Sequence, residues 1–186
     1  MRILHISYDS PGNLWVNGGG AVQSSELQKR MEARGHSFDW NYASQRNQSK
    51  GRWMSRLAFM WDMRRWFSRG AGEDYDVISY EFSPFCPIRI PRKLRKKVVL
   101  QIYHLHDLKS LWKKVGPLAP LCWLTQWNTC RIYPNKITLN KTYARKLKAV
   151  AIPPGVDDDL FKMEPRYDGA EFGGPFYLYL GRFDIE

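Results

Sequence analysis

Residues 17–36 read NGGGAVQSSELQKRMEARGH, and the fold turns on how they are read. Ala21, Ser24, Leu27 and Met31 recur at helical spacing, and Gly35 stands where a helix-ending glycine belongs, so the segment predicts a helix. Before it, Ile3, Leu4, Ile6 and Tyr8 make an almost continuous apolar run over Arg2 to Asp9, bounded by Ser10-Pro11-Gly12. That is the pattern of a strand buried on both faces. After it, SFDWNYAS (37–44) reads as a second strand. Strand, helix and strand in succession form the unit of a parallel sheet, because parallel neighbours need a crossover connection.

The alternation continues outward. Lys50 to Arg69 predicts a helix with Trp53, Leu57, Met60 and Phe67 along one side, interrupted by Arg64. YDVISYEFSPF (75–85) and KVVLQIYHLH (97–106) read as strands, followed by a helix over Leu118 to Tyr133, a strand over Asn135 to Asn140 and a short helix over Thr142 to Leu147. The expected fold is α/β, a doubly wound, Rossmann-like parallel sheet with ligands where the strand carboxyl ends gather. From AIPPGVDDDLFKMEPRYDGAEFGGP (151–175) onward Pro, Gly and Asp dominate, as in a connector, and a further strand run, Phe176 to Leu180, lies beyond it. No internal repeat or low-complexity tract interrupts the chain.

Composition excludes a disordered chain: 44% of residues are hydrophobic, with 8 Trp, 10 Tyr and 9 Phe. Cys86, Cys122 and Cys130 are odd in number and widely spaced, which fits reduced core thiols better than a disulfide frame or a zinc site. The start, MRILHISYDS, enters the strand pattern without the sections of a secretory leader. No stretch approaches the roughly 20 apolar residues of a spanning helix. A cytoplasmic protein is expected.

The net charge of +11 has a location. Lys50 to Arg69 holds six basic residues against Asp62 alone, and Arg89 to Lys97 holds six with no acid, so the two segments carry the whole surplus. Trp53, Trp61, Trp66 and Phe67 interleave with arginines in the first. The expected partner is an anionic membrane surface, met by Arg52, Trp53, Arg56, Arg64, Arg65, Trp66, Arg92, Lys93, Arg95, Lys96 and Lys97. The alternatives are nucleic acid, which is not the expected partner, or a solvated face over a buried aromatic stripe.

Few residues invite chemistry. Gly18-Gly19-Gly20 ahead of a helix either bares amides for a phosphate or makes a tight strand-to-helix connection. The spacing departs from G-x-G-x-x-G, since Gln23 takes the place of the third glycine, and Asp39 lies inside the second strand rather than at its end. Both count against a nicotinamide-dependent oxidoreductase. His104 and His106 follow the 97–106 strand, placed to meet sugar hydroxyls or a developing charge, or simply to make ordinary loop hydrogen bonds. Glu81 leaves the 75–85 strand towards the same crevice or towards solvent. No cysteine or histidine cluster calls for a metal.

In order along the chain, GGGAVQSSELQKRMEARGH, YDVISYEF, AIPPGVDDDLF and YLYLGRFDIE resemble retaining glycosyltransferases of the GT-B architecture, family four. The family patterns are a G-G-A loop, helix and G-H, then DVVHAH, then the connector IPNGVDxxxF, then the GR strand opening a second Rossmann domain. The resemblance implies an acceptor-binding domain over 1–154, a connector over 155–174, and at 175–186 the first strand of a carboxyl-terminal donor-binding domain that the chain does not contain. It implies transfer of a sugar, with retention, from a nucleotide diphosphate sugar to a glycan or lipid-linked acceptor at the inner membrane face. No cofactor or metal is expected, and the isolated chain is expected to be nearly inactive. Gly19 and Gly20 would admit the donor diphosphate or acceptor, Arg182 would neutralise the departing diphosphate, and His104 would contact the transferred sugar. Two positions depart from the pattern: the family's strand-end histidine aligns with Tyr103, or with His104 after a one-residue slip, and Asn140 stands where serine is frequent. A non-catalytic basic membrane- or nucleic-acid-binding module is the rival reading.

Overall fold

The computed structural model describes residues 1–8, 19–41 and 51–152. The connector, the Phe176 to Leu180 run and Arg182 lie outside the described residues, as does Gly18. Within Met1–Pro153, one compact unit, the elements run β1 (Arg2–Ile6), α1 (Gly19–Ala33), β2 (Ser37–Asn41), α2 (Arg52–Ser68), β3 (Val77–Glu81) and β4 (Val98–Ile102). They continue with α3 (Leu108–Val115), α4 (Ala119–Ile132), β5 (Asn135–Thr138), α5 (Lys141–Leu147) and β6 (Val150–Ala151). Short 3-10 turns at Arg92–Lys97 and Gly116–Leu118 precede β4 and α4. All six strands are parallel, in the order β2-β1-β3-β4-β5-β6, and helices flank the sheet as in a Rossmann-like doubly wound fold.

Strand alternation divides the sheet into two unlike faces. Leu4, Ile6, Ile78, Tyr80, Val98, Leu100 and Ile102 share the apolar core with Phe59, Met63 and Phe67 of α2. Burial of each such side chain contributes about 1.5–3 kcal/mol. The opposite face carries three buried polar side chains on the central strands, His5 on β1, Ser79 on β3 and Gln101 on β4. His5 is flanked by the rings of Phe38 and Trp40 on β2, and the Trp40 indole donates to Gln28 of α1 at 2.5 Å.

The chain after β3 is held from beneath. The Tyr80 hydroxyl accepts from the Ile88 N–H at 2.8 Å, and the Tyr133 hydroxyl accepts from the Ile90 N–H at 3.3 Å. These two bonds fasten an irregular stretch whose amides have no sheet partner.

Two expectations are corrected here. Trp53 and Leu57 are exposed on α2, whereas Phe67 of the predicted stripe is buried and Met60 packs against the core; the rest of the inward face is Ser55, Arg56, Phe59 and Met63. The interval between His106 and Leu118, where the sequence pattern predicts no element, contains α3, started by Asp107, whose carboxylate accepts from the Ser110 N–H at 2.6 Å. Among the described residues the other predicted strands and helices are present, and β1, β3, β4 and β5 are shorter than their predicted runs because pairing stops where the chain leaves the sheet edge.

Candidate functional site

Strand order reverses between β1 and β3: from β1 the chain crosses to β2 on one side and then back to β3 on the other. At such a switch point the following loops part and leave a crevice. A cavity of about 170 Å³ opens there, lined by Ser7 and Tyr8 after β1, by Glu81 and the 82–85 loop after β3, by Tyr103, His104 and His106 after β4, and by Arg56 of α2. This is well below the roughly 300–1,000 Å³ of sites enclosing a drug-sized ligand. It suits one sugar-sized ring rather than a dinucleotide.

Each wall has a local cause. The Glu81 carboxylate accepts from the Ser7 hydroxyl at 2.7 Å, joining β1 to β3 across the switch point. Arg56 is carried inward because α2 is pinned: the Tyr8 hydroxyl donates to Ser55 Oγ at 3.0 Å, and the Tyr8 ring meets Phe59 edge-on. Arg56 is 9% exposed, and its guanidinium carbon lies 5.3–5.4 Å from the ring centroids of Tyr8, Trp53 and Phe85. His104 and His106 stack edge to face at 4.4 Å, and Gln126 of α4 brackets the His106 backbone with bonds to its N–H (3.0 Å) and its carbonyl (2.9 Å).

Behind the cavity the polar face of the sheet forms a connected chain. The Tyr103 hydroxyl donates to Gln101 Oε1 at 2.7 Å, and Gln101 Nε2 donates to Ser79 Oγ at 2.6 Å. Ser79 Oγ lies 3.0 Å from His5 Nδ1. The other ring nitrogen of His5 is Nε2. That nitrogen is buried without a hydrogen bond and faces Glu81 Oε2 at 4.0 Å. Burial lowers the His5 pKa to about 4, so the imidazole is neutral near pH 7. His106 is also lowered to about 4, first by burial and then by Lys114 and His104. Burial, and then the Glu81 charge, raises the Tyr103 hydroxyl, which stays protonated. The cavity thus offers a carboxylate, a phenol, neutral imidazole and a guanidinium, a set suited to hydroxyl groups.

Glu81, Tyr103 and His104, predicted separately, meet in this cavity, and both candidates for the strand-end histidine position line it. Gly19 and Gly20 open α1. Asn140 does not line the cavity: its side chain caps α5, accepting from the N–H groups of Thr142 (2.7 Å) and Tyr143 (3.4 Å). Asp39 forms a 3.8 Å ion pair with Arg2, and β2 ends at Asn41, so no acid stands where a ribose-binding one would.

The membrane-surface set divides. Trp53, Arg64, Arg65, Arg92, Lys93 and Lys96 are exposed, whereas Trp66 is half-buried against Phe67. Arg56 belongs to the cavity, a correction caused by the pinning of α2. Lys97 is corrected too: half-buried, its ammonium donates to the carbonyls of Glu73 and Tyr75, both at 2.8 Å, while Lys93 pairs with the Glu73 carboxylate. Arg95, also half-buried, donates to the Ile90 carbonyl. The side chain of Arg52 lies outside the described residues. The 92–97 segment directly precedes β4, at the edge of the sheet opposite the cavity.

Sequence reasoning passed over Ser7, His5, Ser79 and Gln101. A signal was present: a histidine inside an otherwise apolar strand has no reason to be buried unless a partner waits on the neighbouring strand. Among the described residues no three His, Cys, Asp or Glu side chains converge to hold a metal ion, and Cys86, Cys122 and Cys130 form no disulfide. No helix among them is long and apolar enough to cross a membrane. No protein-family model matches the chain, and no curated protein matches it significantly.

Proposed function

We propose that the chain is the acceptor-binding half of a retaining glycosyltransferase using a nucleotide diphosphate sugar. The observation that carries this reading is the convergence of Glu81, Tyr103 and His104 on one small polar cavity at the β1/β3 switch point. In it Glu81 accepts from an acceptor hydroxyl, exchanging or sharing its bond to Ser7, while the Tyr103 oxygen and the His104 ring meet neighbouring hydroxyls. A neutral His106 avoids placing a second cation beside Arg56. The small volume favours a single terminal sugar of a glycan or lipid-linked acceptor. Gly19 and Gly20, at the amino end of α1, are positioned on the chain to admit a phosphate, and Arg182 is assigned to the donor diphosphate.

Titration of a panel of short glycans and lipid-linked sugars by calorimetry tests the acceptor role. Glu81→Gln is expected to weaken the bound member by about 1.5–3 kcal/mol, about tenfold or more in Kd, because a charge-assisted hydrogen bond is lost. Unchanged affinity in Glu81→Gln, or no glycan binding at all, would sink the assignment.

A further inference from the structure

Exposed apolar side chains gather on one hairpin. Leu108 and Trp112 on α3, Leu118 in the turn, and Leu121, Trp123 and Leu124 on α4 are 37–62% exposed, while Leu111 alone is buried on α3. Between Leu108 and Ile132 the chain carries Lys109, Lys113, Lys114 and Arg131 and neither aspartate nor glutamate. All four cations are exposed.

The placement of the hairpin follows from Gln126. Its two bonds to the His106 backbone hold the middle of α4 level with the loop after β4, and from there α4 descends to the start of β5 at Asn135. Residues 119–125 extend the other way, up to about 10 Å along the helix at 1.5 Å per residue. The hairpin therefore rises from the carboxyl edge of the sheet, the same edge as the cavity.

Six large apolar side chains exposed on one hairpin exceed the scattered singles usual on a monomer's surface. Three occupants would cover it: a second copy, another protein, or a lipid surface. A second copy docked face to face would bring four cations against four. An anionic bilayer answers both halves of the pattern, since leucine and tryptophan enter the headgroup–acyl boundary while lysine stems snorkel to lipid phosphates. We propose that the α3–α4 hairpin seats this protein on an anionic lipid bilayer. The surface is not that of the two basic segments, whose charges are partly committed to the cavity and to the 73–75 turn. It stands independently of the glycosyl-transfer reading, because vesicle binding requires no sugar, and it holds the cavity near the headgroups where a lipid-linked acceptor resides.

Cosedimentation of the whole chain with phosphatidylcholine vesicles, with and without phosphatidylglycerol, tests the proposal. Binding is expected only with the anionic lipid. Leu121→Ser combined with Leu124→Ser should reduce it about tenfold with an unaltered circular dichroism spectrum, since both side chains are exposed. As a second variant, Lys109→Glu with Lys114→Glu should lose roughly fivefold for each lysine reversed. The proposal is overturned by equal binding to neutral vesicles, by undiminished binding of both hairpin variants, or by loss of binding through Arg64→Glu and Arg65→Glu alone. A dimer dispersed by Leu121→Ser, or capture of an oligonucleotide without vesicle binding, would overturn it as well.

Discussion

Replacing Tyr80 by alanine is expected to destabilise the protein by about 3–5 kcal/mol, as for other large aromatic side chains removed from a closed core. Tyr80 is fully buried on β3, with edge contacts to Phe82 and Tyr133, and neighbours on β1 and β4 hold its site open against collapse. The hydroxyl has a separable role. Tyr80→Phe keeps the ring and leaves the Ile88 N–H buried without its acceptor, at an expected cost of about 1–3 kcal/mol. Since that bond holds the stretch that follows the Ser83 to Phe85 wall of the cavity, the phenylalanine variant should also weaken whatever ligand the cavity takes. Urea unfolding of both variants checks the two magnitudes, and a phenylalanine variant as stable as the parent would show that the Ile88 amide finds another acceptor.

Lowering the pH from 7 towards 4 is expected to remove about 3 kcal/mol of stability through His5 alone. Its folded pKa is about 4 against 6.5 for the free side chain, so between those values the unfolded chain binds a proton that the folded chain refuses. Stability therefore falls as the pH drops below 6.5, and the contribution is lost as the pH passes through about 4. His106, lowered for the same first reason, acts in the same direction. In His5→Gln the corresponding part of the slope should vanish, which chemical denaturation at pH 7 and pH 4.5 would reveal. Identical slopes in parent and variant would mean that His5 is charged, or open to water, in the native state.

Much of this architecture was legible without coordinates. The run Ile3-Leu4-His5-Ile6, the helical spacing after Gly20, and the repetition of strand and crossover determine a parallel doubly wound sheet, because a strand buried on both faces must be covered by helices on both sides. From that, the carboxyl ends of the strands were the place to look for a site; Glu81 and His104 were found from their positions in the chain, and Tyr103 from the family resemblance. Asn140 shows the limit of the same reasoning. It too follows a strand, yet local geometry spends its oxygen on the amides of α5.

What sequence could not supply was orientation. Whether Arg56 faces water or the cavity depends on the rotation of α2, and that rotation is decided by Phe59, Met63 and Phe67 finding the core together with the Tyr8–Ser55 bond, all contacts distant in sequence. The chain from Tyr103 to His5 likewise exists only because strand register sets Ser79 beside His5 and carries Gln101 to the same face. Periodicity along one segment reveals which of its residues share a side. Which side meets which neighbour is settled by packing between segments, and so the sheet was readable from the chain while the polar face and the cavity it supports belong to the tertiary structure.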